Sequence, residues 1–180
     1  MTRSITLLTL PMVGLLVGLA LGRSQTNDGP QILEVGAFSV VQEVLIDATP
    51  EQVFDAFTGD VSPWWDHTFS EQPVRLFLEP RPGGGFIELF DDEGNGVLHA
   101  TVNMVKRPEE LQFHGPLGFA ATGRNLQMAH RVQFTAEGDR TRVKVAVHAM
   151  GEMDPAWPAA VQRVWHHFLV ERLKPHVEGL

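Results

Sequence analysis

The chain has 180 residues, 43% of them hydrophobic and 20% charged, a net charge of −8 at neutral pH and no cysteine. That is the make-up of one ordinary globular domain, and it excludes bulk disorder and a fibrous repeat. So acidic a chain is a poor partner for nucleic-acid phosphates, which demand a basic face, and the lack of cysteine excludes disulfides, thiolate zinc sites and a Cys nucleophile.

The first 22 residues stand apart. Arg3 is the only charged side chain before Arg23, and Ile5 to Gly22 is an uncharged stretch of 18 residues. Ala20 and Gly22 offer a small-x-small cleavage site, the pattern of a signal peptide. Eighteen residues also reach the lower edge of what spans a bilayer, so a retained anchor competes with cleavage. Residues 1–22 are therefore assigned as a signal peptide or N-terminal membrane anchor. The domain is expected outside the cytosol, exported (periplasmic or secreted) or held by residues 5–22, its only expected membrane contact. N-terminal sequencing of protein from a fractionated host is expected to find a start near Arg23. An intact Met1 in the soluble cytosol would overturn this. Residues 23–34 (RSQTNDGPQILE) are polar with one Gly-Pro break and read as a linker; one domain follows, residues 35–180.

Phe38 to Ile46 alternates as a strand, with Phe38, Val40, Val44 and Ile46 on one side. Thr49-Pro50 then starts a helix: Thr49 caps it, Gln52 completes a capping box, and Pro50 suits the first helical position. Val53, Phe54 and Phe57 face inward, and Gly59 stops it. A second short helical turn is expected at Ser62-Pro63-Trp64-Trp65. Strand signals recur at Val74–Glu79, Phe86–Asp91, Val97–Val105, Leu111–His114, Gln127–Ala136 and Thr141–Met150, separated by short Gly- and Pro-containing turns. Such short connections make antiparallel neighbours. A last helix starts at Pro158 and is expected to end at Pro175. Its wheel puts Val161, Val164, Trp165, Phe168 and Leu169 on one stripe. Seven antiparallel strands need a cover for their apolar face, and this helix is the long amphipathic element available.

The segments DATPEQVFDAFT, PWW, EPRPGGGFIEL and RVQFTAEGDRTRVKVAVHAM, with the terminal amphipathic helix, together resemble the SRPBCC superfamily of START-like helix-grip domains. That superfamily includes the birch-pollen allergen family, polyketide cyclases, START lipid-transfer domains and homologues of the heat-shock-ATPase activator, and the last branch is the nearest. The resemblance covers the domain but not the leader. It implies an α+β helix-grip fold, a curved seven-stranded antiparallel sheet around a long C-terminal helix with two short helices after the first strand. It also implies an apolar pocket that binds, or transports, a small hydrophobic molecule such as a lipid. A cyclase- or dehydratase-type enzyme using the same pocket, or a co-chaperone-like interaction module, are the alternatives. No cofactor and no particular protein partner is implied.

Strand parity sorts the histidines. His130 shares a face with Met128, Val132 and Phe134 and is expected inside, where it is the candidate acid-base group, with Gln42 as a possible companion. His148 and His99 alternate outward. The expected pocket wall is Val161, Trp165 and Phe168 from the last helix, faced by Val132 and Phe134 on one strand and Val143, Val145 and Val147 on the next. Arg172 falls within the apolar stripe, either as a snorkelling side chain or as a mouth residue for a ligand carboxylate or phosphate. No metal site is assigned: His67 and Glu71, and His167 and Glu171, are isolated i, i+4 pairs, below the ligand count zinc requires. Asp66-His67 beside Trp64-Trp65 could form an acid-base pair, but adjacent residues do not face each other on a helix, and the indoles read as core or rim packing. The Pro82–Phe86 run is a turn, lacking the helix and Gly-Lys-Ser/Thr ending of a phosphate loop, and no serine sits in a nucleophile elbow.

Overall fold

In the computed structural model, Pro30 and residues 32–180 are described. The leader assigned to residues 1–22, and most of the linker, lie outside the described residues. Among the described residues no helix is long and apolar enough to cross a membrane.

The element order is β1 (Val35–Ile46), α1 (Pro50–Phe57), β2 (Gly59–Asp60), β3 (Arg75–Leu78), β4 (Gly85–Leu89), β5 (Gly96–Lys106), β6 (Glu110–His114), β7 (Leu126–Glu137) and β8 (Arg140–Glu152). The chain closes with α2 (Trp157–His166), a π-helical stretch (His167–Leu173) and α3 (Lys174–Glu178). The strands form one antiparallel sheet in the order β1-β8-β7-β6-β5-β4-β3-β2. From β2 onward strands adjacent in the chain pair with each other, through short turns except for the longer connections of residues 61–74 (β2–β3) and 115–125 (β6–β7), and β8 closes the order against β1. The C-terminal helical segment fills the concave face, giving the helix-grip architecture. Lys174 Nζ ties its end to the Leu45 carbonyl at 2.7 Å, and the Asp47 amide donates to Glu178 at 2.9 Å.

Helix α1 begins as its sequence demands. The Thr49 amide donates to the Gln52 side chain at 3.0 Å, and the Gln52 amide donates back to Thr49 Oγ1 at 3.4 Å. This reciprocal bonding satisfies two amides that a helix start otherwise leaves unpaired. Its buried face packs on β7, with Phe54 and Phe57 set edge-on to Phe134 at centroid distances of 5.3 and 5.6 Å.

Three local expectations are corrected. The sheet has eight strands rather than seven, because β2 adds a two-residue edge on β3 that is too short to leave a periodic signal. The second short helical turn is present as expected, the Trp64 and Trp65 amides both donating to the Val61 carbonyl. Pro175 does not end the last helix. The helical run continues from the π-helical stretch through it to Glu178. Finally, β5 does not alternate. Phe86 pairs with Ala100 and Ile87 with Leu98, so His99 is an extra residue in a β-bulge. A bulge reverses the facing of whatever follows it on the strand. His99 is therefore buried beside Ala100, and Leu98, expected inside, is exposed.

Candidate functional site

Between the sheet and the C-terminal helix lies a cavity of about 190 Å³. Trp165, Val161 and Phe168 form its helix wall, Trp65 and Met128 the opposite wall, and the loop at Leu117–Phe119 its cover. The aromatic wall is tightly organised. Trp65 stacks on Phe168 with centroids 3.9 Å apart and meets Phe86 edge-on at 4.8 Å. The covering loop crosses β5 closely: a Cβ on Gly115 would lie 2.2 Å from the His99 carbonyl oxygen, so only glycine fits there. Leu117 takes up a left-handed backbone, φ 49°. That conformation costs a residue bearing a Cβ of order 1–3 kcal/mol and clusters at binding sites.

One polar side chain enters this apolar space from a buried pair. Glu88 is 0% exposed and His99 1%. The Ser70 amide donates to Glu88 at 2.7 Å, and the Phe69 amide reaches both carboxylate oxygens at 2.9 and 3.0 Å. His99 Nε2 lies 3.0 Å from the same carboxylate. Because the carboxylate is the acceptor, Nε2 carries the proton. Nδ1 faces the Leu117 carbonyl, an acceptor, at 3.5 Å. A histidine held in one tautomer by a buried carboxylate is the arrangement that general bases and ligand-orienting imidazoles share.

His130 is buried as its parity predicts, at 2% exposure, yet it is not a cavity residue. It stacks flat on Phe113 at 4.7 Å and lies against Trp165. Among the described residues neither ring nitrogen has a hydrogen-bond partner. Burial pushes its pKa from 6.5 down to about 3, and the Phe113 backbone, close by but outside hydrogen-bond geometry, offsets little of this. The imidazole is neutral throughout the physiological range.

On the cavity rim, the fold joins two pairs that are separate in sequence. The His67 and His167 rings stack at 5.4 Å. His167 Nε2 lies 2.9 Å from Asp66 Oδ2, and its Nδ1 lies 2.8 Å from Glu171. The hydrogen bond to Glu171 and then that to Asp66 hold the His167 pKa above its usual value. Arg172 Nε sits 3.2 Å from Asp66 Oδ2 and 3.4 Å from the Trp64 carbonyl. It serves this rim cluster rather than the cavity wall. Glu71, the expected i, i+4 partner of His67, takes no part.

Of the expected wall, Val161, Trp165 and Phe168 line the cavity. Val132, Phe134, Val143, Val145 and Val147 are all buried in the core cluster but lie away from it, Phe134 because α1 covers that end of the sheet. Gln42 is on the outside near His166. Trp65, Met128, Leu117, His99 and Glu88 complete the site, and the wall expected from the sequence contains none of them. Glu88 had a legible signal: it shares strand parity with Phe86, and a carboxylate on an apolar face demands partners. His99 had none, since the bulge inverts its parity.

A family model described as "Activator of Hsp90 ATPase homolog 1-like protein" matches residues 47–178. No curated protein matches the chain significantly. Among solved structures, it is similar to an uncharacterized protein from Rhizobium leguminosarum, with TM-score 0.64 and 18% identity over 83% of this chain and 100% of that one. Protein SA2116 from Staphylococcus aureus aligns with TM-score 0.58 and 14% identity, covering 81% and 96% of the two chains. CalU16 from Micromonospora echinospora aligns with TM-score 0.52 and 18% identity, covering 83% and 86%. At these identities the likeness concerns the fold alone.

Proposed function

The chain belongs to the family of activator of Hsp90 ATPase homolog 1-like proteins, and from that premise we propose that it binds a small, mainly apolar molecule in the cavity between sheet and C-terminal helix, outside the cytosol. The observation that carries this reading is a cavity with aromatic and aliphatic walls and one oriented polar group, His99. Ligand sites are built this way: apolar surface supplies affinity and a few placed polar groups fix orientation. The volume of about 190 Å³ is below the roughly 300–1,000 Å³ typical of drug-sized ligands. The fitting class is a short-chain acid or a one- or two-ring compound carrying a hydroxyl or carboxyl group for His99, and a sterol is too large.

The test is thermal unfolding with octanoic acid and 2-naphthol as probes. A ligand at a hundredfold its Kd stabilises by about 2.7 kcal/mol, which raises Tm by roughly 5–10 °C for a domain of this size. Val161→Phe, which fills the space, is expected to abolish the shift while the variant keeps its cooperative transition. His99→Leu is expected to weaken binding about tenfold or more, since the ligand's polar group loses its partner. If neither probe shifts Tm, and none of a wider panel of this size class does, the interaction-module reading gains instead.

A catalytic use of the same cavity is favoured by one observation, the Glu88–His99 geometry, which makes His99 rather than His130 the acid-base candidate. A bound compound recovered chemically altered, with the change abolished in His99→Gln, would establish it.

A further inference from the structure

We propose that Asp66, His67 and His167 form a binding site for a divalent transition-metal ion on the rim of the cavity. The three side chains come from two distant places, the turn after β2 and the start of the π-helical stretch, and their ligand atoms all lie within 4.8 Å of one another. His67 Nε2 is 4.0 Å from Asp66 Oδ1, and His167 Nε2 is 3.0 Å from that same oxygen. A tetrahedral ion with bonds of about 2.0–2.1 Å holds its ligand atoms about 3.3 Å apart. Small rotations of side chains that are 29–50% exposed reach that spacing.

Two imidazoles and one carboxylate select the class of ion. Nitrogen donors suit Zn²⁺, Fe²⁺, Ni²⁺ and Cu²⁺, whereas Ca²⁺ and Mg²⁺ prefer all-oxygen shells. The surroundings of the cluster match a metal centre independently of the ligands themselves. The second ring nitrogen of His167 is bonded to the Glu171 carboxylate at 2.8 Å, the carboxylate–histidine pairing that fixes a ligating imidazole in its metal-binding tautomer. Arg172 Nε lies 3.2 Å from Asp66 Oδ2, which orients the carboxylate, and His167 Nε2 faces both of its oxygens at 3.0 and 2.9 Å. Phe168 lies under both rings, 4.9 Å from His67 and 5.7 Å from His167, and supplies an apolar floor. The widened turn of a π-helical stretch, a feature frequent at functional sites, carries His167, Glu171 and Arg172. Three protein ligands leave a coordination position open, as in sites that take up an exogenous ligand. Since His67 also lines the cavity, that position is close to the proposed small-molecule site, but metal binding does not depend on that reading.

The experiment is calorimetric titration of the tag-free, chelator-washed full chain with Zn²⁺, supported by the visible absorption of the Co²⁺ form. One equivalent is expected to bind with Kd below about 10 μM. His67→Ala and His167→Ala should each weaken binding at least tenfold. Glu171→Gln, which keeps every ligand, should weaken it about 10- to 100-fold through the loss of the outer carboxylate. His67→Ala also loses the ring contacts with His167 and Phe168, so the apo-protein Tm is measured beside each titration, and a cooperative transition retained with metal affinity lost reads on the ligand atom. The Co²⁺ spectrum should show nitrogen and oxygen ligation in the parent chain and vanish in the His67→Ala/His167→Ala double variant. Absence of stoichiometric binding, or binding unchanged in that double variant, overturns the site.

Discussion

Glu88→Ala is expected to destabilise the protein by about 3–5 kcal/mol, the cost of taking away the one acceptor shared by three hydrogen-bond donors. The substitution removes a carboxylate that receives the Phe69 and Ser70 amides and His99 Nε2. His99 Nε2 is then left without a partner in the core and the two amides lose theirs in a part-buried segment, and each unsatisfied buried group costs about 1–3 kcal/mol. Set against a typical domain stability of about 5–15 kcal/mol, this is a third or more of the whole. Glu88 also anchors the Thr68–Ser70 segment to β4, so the cavity wall at Trp65 should loosen with it. Urea unfolding gives the measurement. Glu88→Gln should cost less, because the amide oxygen still accepts from the two backbone amides. The Glu88→Leu/His99→Leu double variant should be more stable than Glu88→Ala, since it removes both buried polar partners together. A Glu88→Ala variant within 1 kcal/mol of the parent would show that the pair does not hold this wall.

The second large effect is expected at His130 and depends on pH. In the folded chain burial holds its pKa near 3, against 6.5 for the free side chain. The native state therefore keeps the ring neutral, while the unfolded chain protonates it below pH 6.5. Wherever the unfolded state binds more protons, stability rises with pH. The stability associated with the neutral ring is thus complete above pH 6.5 and lost progressively as the pH falls toward 3. The slope approaches 1.4 kcal/mol per pH unit, a loss of about 3 kcal/mol by pH 4.5. His130→Leu abolishes this titration. It also removes two ring nitrogens that have no partner among the described residues, which favours the variant at every pH, while lost stacking on Phe113 disfavours it. Those two contributions do not change with pH, so the diagnostic quantity is how the difference between variant and parent varies. The stability of His130→Leu relative to the parent should increase by about 3 kcal/mol between pH 7 and 4.5, as read from urea unfolding at each pH. A difference independent of pH would mean that His130 is solvated or paired in solution.

The two effects also separate what local pattern can carry from what it cannot. The chain alone settles the architecture, because each determinant acts within a few residues. The Thr49–Gln52 box starts α1 by reciprocal hydrogen bonds across a single turn. Alternation puts His130, Val132 and Phe134 on one face, and the stripe of Val161, Trp165 and Phe168 meets the sheet because burying it is the dominant favourable term in folding. The family was recognisable from these same signals. Side-chain function depended on events that no short-range period records. One extra residue in β5 turned His99 inward against Glu88, and π winding from His167 to Leu173 continues into a helical turn that contains Pro175. Asp66 and His167 are 101 residues apart in sequence and meet only when the C-terminal helix docks. Helical and strand periods report which face of an element is apolar. Which polar groups converge across that face is fixed by docking, register and bulges, which are properties of the whole sheet and helix packed together.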